Sequence, residues 1–183
     1  ELLREAGVPD GAVQYLPGPG SRIGQALVEH PGIDNIAFTG SKEVGLGIIQ
    51  SASVVGALLA VPRGGGDGAS PAVRRVVAEM GGKNAIIIDD DADLDQAISA
   101  AVVSAFGYAG QKCSACSRLI IVGHAYEEAL GRLKNAVESL VVGPPHDPAT
   151  SVPPVINASA RDKILAYVDE GTSTARLLAQ APV

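Results

Sequence analysis

Short apolar runs alternate with helix-like segments over the first fifty positions. Val13–Leu16 and Asn35–Phe38 are apolar runs of the length typical of strands. A glycine-rich turn follows the first run, and Ser21 is a suitable N-cap for a helix over 22–30. The second run leads through a Thr-Gly-Ser turn to a helix that begins near Lys42. Two successive strand–glycine–helix units indicate a parallel α/β sheet.

The second half of the chain continues this alternation. Ala85–Ile88 and Leu119–Val122 are continuous apolar runs, which are typical of parallel strands buried on both faces. Asp93 is placed to cap a helix that carries the periodic apolar residues Leu94, Ala97, Ile98, Ala101 and Val102. Two more helices are predicted over 124–140, with Leu130, Leu133 and Val137 inward, and over 160–170. The predicted fold is therefore α/β: a parallel, Rossmann-like sheet flanked by helices.

Composition narrows the function classes. Hydrophobic residues make up 46% of the 183 and aromatic residues 3%, which predicts a globular protein with an aliphatic core. A net charge of −6 argues against nucleic-acid binding. No apolar run approaches the roughly 18 residues of a membrane span. Residues 63–68 are predicted to form an exposed, glycine-rich loop.

Two cysteines three positions apart, Cys113 and Cys116, suit neither a disulfide framework nor a structural zinc site of four ligands. We expect both to be thiols, no metal to be bound, and the protein to be cytoplasmic. Small residues surround Cys113, and Lys112 beside it favours the reactive thiolate. The alternative is that each cysteine packs as a small hydrophobe, which we favour for Cys116.

Two glycine turns are candidates for phosphate binding. Gly20 and Gly24 open a helix, where bare backbone can approach an anion. The alternative for them is an ordinary tight turn. The segment Thr39-Gly40-Ser41 repeats the geometry, and its alternative is an ordinary helix cap.

Glu79 lies among apolar residues just before the Gly81-Gly82 turn. Partial burial there would raise the pKa of its carboxyl group and suit it to act as a general base. The alternative is an exposed charge at the end of a helix.

Three segments resemble signatures of the aldehyde dehydrogenase superfamily: Phe38–Ser41 its nicotinamide-cofactor turn, Glu79–Lys83 its glutamate signature and Gly110–Cys113 its cysteine signature. Within the superfamily, the longer segments Ile36–Gly45, Val77–Ile87 and Gly110–Arg118 are most similar to 1-pyrroline-5-carboxylate (L-glutamate γ-semialdehyde) dehydrogenases. The resemblance implies NAD-dependent oxidation of that aldehyde to glutamate in proline catabolism, through a cysteine thioester.

The resemblance also implies site residues. Cys113 would be the nucleophile, Glu79 the general base, and Ser114 a residue that positions the substrate. The residues implied to contact NAD are Gly20, Gly24, Thr39, Gly40, Ser41, Val44 and Gly45.

The resemblance further implies domain organisation. Residues 1–79 would be the C-terminal part of an NAD-binding domain and 80–183 the N-terminal part of a catalytic domain. The helix at Leu2–Ala6 is already under way at the first residue, so we expect a central fragment, incomplete at both ends, of a homo-oligomeric parent. Two alternatives stay open: a truncated or degenerate non-catalytic α/β module, and an aldehyde dehydrogenase of other substrate specificity.

Overall fold

The computed structural model of the chain describes residues 1–58, 60–61, 70–71 and 74–182. The chain divides into two compact units, Glu1–Met80 and Gly81–Val183. The predicted loop at 63–68 lies outside the described residues. The assignment of 1–79 to a cofactor domain and 80–183 to a catalytic domain stays a prediction.

The first unit is built on a parallel pair of strands. Its elements are α1 (Leu2–Glu5), a π-helical turn (Gly20–Gly24), α2 (Gln25–Glu29), β1 (Asn35–Gly40), α3 (Lys42–Leu58), β2 (Ala60–Val61), β3 (Ser70–Pro71) and β4 (Arg75–Met80). β1 and β4 run parallel in continuous register, from Asn35 beside Arg75 to Gly40 beside Met80. This pairing confirms the parallel strand predicted at Asn35.

Two predictions in the first unit are wrong. Val13–Leu16 forms no strand, and the Val13, Tyr15 and Leu16 side chains are exposed. A short apolar run becomes a strand only where a neighbouring strand accepts its backbone hydrogen bonds, and no strand among the described residues pairs with this run. Ser21 does not cap the following helix, because the helical turn opens one residue earlier, at Gly20 after Pro19.

The second unit is a parallel strand pair covered by helices. Its elements are β5 (Asn84–Ile88), α4 (Leu94–Phe106), a 3₁₀ turn (Gly107–Gly110), β6 (Cys116–Ile121), α5 (Ala125–Glu138) and α6 (Ala158–Thr174). β5 pairs in parallel with β6, with a register shift between Asn84 and Ala85. The parallel α/β class predicted from the sequence is confirmed by the β1–β4 and β5–β6 pairs, while the short strands β2 and β3 pair antiparallel.

The core of the second unit lies between the β5–β6 sheet and the helices α4 and α5. Its buried cluster consists of Ile88, Ile98, Val102, Ala129 and Val137, and Leu119 and Ile121 pack against it. The expectation that both strands are buried on two faces is wrong. Ile87 is 68% exposed and Ile120 48% exposed, because the helices cover one face of this sheet.

The helix ends in the second unit follow their capping residues. The Asp93 carboxylate accepts hydrogen bonds from the backbone N–H groups of Asp95 and Gln96, which confirms the predicted N-cap of α4. The Asn157 side chain accepts from Ala160 N at 2.9 Å and begins α6 two residues before the predicted start.

No helix within the described ranges is long and apolar enough to cross a membrane.

Candidate active site

A strained turn carries the chain from α4 to the candidate nucleophile. Tyr108, Ala109 and Gly110 have φ values of 59°, 54° and 70°, so three successive residues are left-handed. Two of them are not glycine, and such residues persist only where the surrounding structure holds them. Gln111 helps to hold them, because its backbone N–H and its side-chain amide both donate to the Tyr108 carbonyl at 3.1 Å.

Cys113 and Ser114 lie at the tip of the turn that follows, and both are exposed. The turn is closed by Ala115 N–H, which donates to the Lys112 carbonyl at 3.3 Å. No acceptor within the described part of the chain takes the backbone N–H of Cys113 or of Ser114. An exposed thiol beside two free N–H donors is an arrangement that suits attack on a carbonyl carbon.

Hydrogen bonds to other elements hold this turn on two sides. Asn84, the first residue of β5, donates its amide N–H to the Cys113 carbonyl at 2.8 Å. On the other side, the Ile156 backbone N–H donates to the Gln111 side-chain oxygen at 2.9 Å, which connects the turn to the segment before α6. Arg118 donates to the Lys83 carbonyl at 2.5 Å, which is a second connection, after the Asn84–Cys113 bond, between the segments around Asn84 and Cys113.

Cys116 differs from Cys113 in its exposure to solvent and in its hydrogen bonds. It is half-buried at the start of β6, and its backbone N–H donates to the Ser104 hydroxyl at 3.2 Å. Its thiol donates to the Arg118 carbonyl at 3.3 Å. It borders an apolar cavity of about 390 Å³ with Leu119 and Val137. These contacts favour the packing role predicted for Cys116.

Glu79 is the penultimate residue of β4, in register with Thr39 of β1. It is exposed, so the desolvation expected from its apolar neighbours is not present. The alternative placement at the end of a helix is also wrong. Alternate residues of a strand point to opposite sides, and this alternation turns Glu79 outward between the half-buried Ala78 and Met80.

The predicted cofactor residues divide into two sets. Gly20, Gly24 and Val44 line a groove of about 660 Å³ in the first unit, between α2 and the β1–α3 connection. A Cβ on Gly20 or Gly24 would meet no atom within 4 Å, so both glycines open directly onto this space. The groove walls are mainly apolar, which fits the flat face of a nucleoside better than a phosphate.

The other set, Thr39, Gly40, Ser41 and Gly45, does not line the groove. The Ser41 hydroxyl accepts from Val44 N–H at 3.3 Å, which makes it the helix cap named as its alternative. Gly45 is buried, and a Cβ there would lie 2.7 Å from the Met80 sulfur. Gly40 lies under the Phe38 ring. Packing and capping therefore account for Ser41, Gly40 and Gly45 within this unit.

Asn84 is a site residue that the sequence analysis did not single out. Asparagine is disfavoured in strands, yet it opens the apolar run Asn84–Ile88 directly after Gly-Gly-Lys. A polar residue at such a position is a signal of a specific side-chain contact. The structure identifies that contact as the Cys113 carbonyl.

Comparisons with known proteins identify relatives of this chain. A 1-pyrroline-5-carboxylate dehydrogenase of Geobacillus thermodenitrificans is 44% identical over 181 residues, which cover 97% of this chain and 32% of the relative. Its counterpart in Bacillus subtilis is 42% identical over 179 residues, covering 98% of this chain and 33% of the relative. The chain thus spans about a third of the length of these relatives.

Two solved structures superpose on the chain. The 1-pyrroline-5-carboxylate dehydrogenase from Thermus with bound NAD has a TM-score of 0.80 and 42% identity, covering 94% of this chain and 31% of that structure. Proline utilization A from Bdellovibrio bacteriovorus has a TM-score of 0.87 and 40% identity, covering 100% of this chain and 18% of that structure. Residues 1–181 match the aldehyde dehydrogenase family, and the chain belongs to that family.

Proposed function

We propose that this chain carries the nucleophile, the general base and part of the NAD site for oxidising L-glutamate γ-semialdehyde (1-pyrroline-5-carboxylate) to glutamate. The observation that carries the proposal is Cys113, exposed in an anchored turn beside two free backbone N–H groups. The choice of aldehyde is supported by relatives named 1-pyrroline-5-carboxylate dehydrogenase at 44% and 42% identity.

In the proposed reaction the Cys113 thiolate attacks the aldehyde carbon and forms a thiohemiacetal. The oxyanion that develops is stabilised by the free backbone N–H groups beside the sulfur. NAD, when bound, supplies the hydride acceptor. The thioester that then remains on the Cys113 sulfur is hydrolysed by a water molecule that Glu79 deprotonates. Ser114, exposed next to the nucleophile, is proposed to help position the substrate.

For the cofactor we propose that the groove at Gly20, Gly24 and Val44 holds a nucleoside moiety. Thr39, Gly40, Ser41 and Gly45 are proposed to contact NAD through backbone at the N-terminal end of α3, where a helix favours phosphate. A cytoplasmic location and a homo-oligomeric parent remain predictions.

The second candidate is an α/β module that folds without catalysing the reaction. The specific observation in its favour is that the chain covers 32% of the first relative and 33% of the second. We therefore expect the isolated 183 residues to produce no aldehyde-dependent NADH, neither as a burst nor as turnover.

A chimera separates the two candidates. The matching segment of the Bacillus subtilis relative, which shares 42% identity over 179 residues, is replaced by this chain. We expect the chimera to form NADH with L-glutamate γ-semialdehyde faster than with acetaldehyde or succinate semialdehyde. A folded chimera that binds NAD but forms no NADH would contradict the proposal. Faster oxidation of another aldehyde would leave the family chemistry in place and reject the proposed substrate.

Two substitutions in the chimera assign the residues. Cys113→Ser removes both burst and turnover, because a hydroxyl is a far poorer nucleophile than a thiol at neutral pH. Glu79→Gln leaves a burst of NADH stoichiometric with active sites but slows turnover about 10²- to 10⁴-fold, since water loses its base. Unchanged steady-state turnover in Glu79→Gln would remove the base assignment.

A further inference from the structure

The backbone on either side of the Cys113 sulfur is fixed by two separate hydrogen bonds. The Lys112 carbonyl accepts from Ala115 N–H at 3.3 Å, and the Cys113 carbonyl accepts from the Asn84 side chain at 2.8 Å. A peptide unit is planar, so holding its carbonyl also sets the direction of the N–H on the next residue. The first bond therefore sets the direction of Cys113 N–H, and the second sets that of Ser114 N–H.

Only the first of these two bonds is local to the turn. The second comes from a different element, because Asn84 opens β5 while Cys113 precedes β6. Asn84 is itself held in place by the strand pairing, where it lies beside Cys116 next to the register shift. A Cβ on Gly82 would lie 3.0 Å from the side-chain oxygen of Asn84. The lack of a side chain at Gly82 therefore leaves room for this rotamer of Asn84.

We infer that Asn84 is a positioning residue for the proposed acyl chemistry: it fixes the Cys113–Ser114 peptide so that the free Ser114 N–H faces a carbonyl oxygen bound at the sulfur. This inference rests on the proposed function, in which Cys113 attacks a carbonyl carbon. Asn84 does not touch the reacting atoms. It acts through the backbone of the nucleophile, and its loss is expected to weaken oxyanion stabilisation without removing the thiol.

Two reagents applied to the intact chain distinguish positioning from simple accessibility. Acylation by p-nitrophenyl acetate passes through a tetrahedral oxyanion: sulfur bonds to the carbonyl carbon, p-nitrophenolate leaves, and a thioester remains. Alkylation by iodoacetamide displaces iodide and forms no oxyanion. Both rates are measured at Cys113 by mass spectrometry. The ratio of acylation to alkylation reports how well the backbone N–H groups are oriented toward the oxyanion.

We expect Asn84→Asp to lower the acylation rate at Cys113 about tenfold, less than the roughly 10²- to 10³-fold cost of removing an oxyanion donor outright. The carboxylate has the size of the amide but cannot donate to the Cys113 carbonyl at neutral pH. Alkylation should change less than about twofold. Asn135→Asp, at an exposed position on α5, makes the same charge change and should alter neither rate.

Asn84→Ala removes the donor without adding charge, and it serves if the aspartate variant fails to fold by circular dichroism. Equal acylation-to-alkylation ratios in wild type and a folded Asn84 variant would overturn the inference, and so would parallel losses in both rates. The proposed nucleophile is judged separately in wild type: acylation of Cys116 before Cys113 would reject it whatever the Asn84 variants do. If Cys113 is acylated first and only Asn84 substitutions lower the acylation-to-alkylation ratio, the nucleophile assignment and the Asn84 inference are both supported.

Discussion

Gly45 and Gly47 lie two positions apart in α3 and differ in their surroundings. A Cβ on Gly45 would lie 2.7 Å from the Met80 sulfur and 3.4 Å from a Phe38 ring carbon. A Cβ on Gly47 would meet no atom within 4 Å. Glycine makes a helix less stable than alanine does, so replacing it by alanine stabilises the fold unless the added methyl group has no room. Gly45 is such a position because it lets α3 approach the end of β4.

This difference predicts opposite effects of the same substitution. Gly47→Ala should stabilise the chain by about 0.5–1 kcal/mol, because alanine favours the helix and nothing obstructs it. Gly45→Ala should destabilise it by about 1 kcal/mol, because the methyl group must displace the Met80 side chain. Urea unfolding followed by circular dichroism measures both. Equal stabilisation by the two substitutions would show that Gly45 is not required for packing.

At the scale of elements, carboxylates stabilise the starts of α4 and α5 in the second unit. Asp93 caps α4, and its pKa is lowered chiefly because the Gln96 backbone N–H donates to the ionised carboxylate. Asp90, in the connection between β5 and α4, accepts from the backbone N–H groups of His124 and Ala125 at 2.8 and 3.3 Å. The connection between β5 and α4 thus stabilises the start of α4 through Asp93 and the start of α5 through Asp90.

Asp93→Ala should lower the midpoint of thermal unfolding by a few degrees at neutral pH, because two backbone N–H groups lose their acceptor. The lowered pKa sets the sign of the pH dependence. The ionised cap stabilises the fold fully above the unfolded carboxyl pKa of about 3.9, and this stabilisation disappears as the pH falls through the lower folded-state pKa. The unfolding midpoints of wild type and Asp93→Ala should therefore begin to converge as the pH falls below about 3.9 and should meet only below the lowered folded-state pKa of Asp93. A difference that persists in strong acid would mean that the charge is not responsible.

At the scale of the whole molecule, buried hydrophobic side chains are distributed unevenly between the two units. Among the described residues, those of the first unit are Val28 and Ala52. Those of the second unit include Ile88, Ile98, Val102 and Val137, which form one cluster with Ala129. Because burial of apolar area is the main favourable term in folding, the second unit has the larger capacity to fold independently.

We expect residues 81–183, expressed alone, to retain helical circular dichroism and a cooperative thermal transition. Residues 1–80 expressed alone should show a much weaker, broad transition, because few of their described apolar side chains are buried. The same measurement on the intact chain is the reference. A cooperative transition from 1–80 and none from 81–183 would reverse this account of which unit contains the core.

Local patterns in the sequence predicted much of the fold. The parallel strands at Asn35 and Ala85 are confirmed, and so are the Asp93 cap and a helix from Lys42. The Asp93 cap depends on interactions between residues close in the chain, because its carboxylate accepts N–H groups two and three positions later. The sequence motifs also identified the aldehyde dehydrogenase family, which the match over residues 1–181 confirms.

The features that the sequence predicted wrongly depend on contacts between distant segments. Val13–Leu16 has the pattern of a strand but no neighbouring strand pairs with it, and Ile87 lies on the sheet face that α4 and α5 do not cover. The hydrogen bond between Asn84 and Cys113 joins residues 29 positions apart. By itself the sequence determined the aldehyde dehydrogenase family, the parallel α/β class and the Asp93 cap, and it indicated Cys113 as the candidate nucleophile. Only the tertiary structure decided which apolar runs pair, which faces are covered and what holds that nucleophile, because each depends on packing between elements remote in the chain.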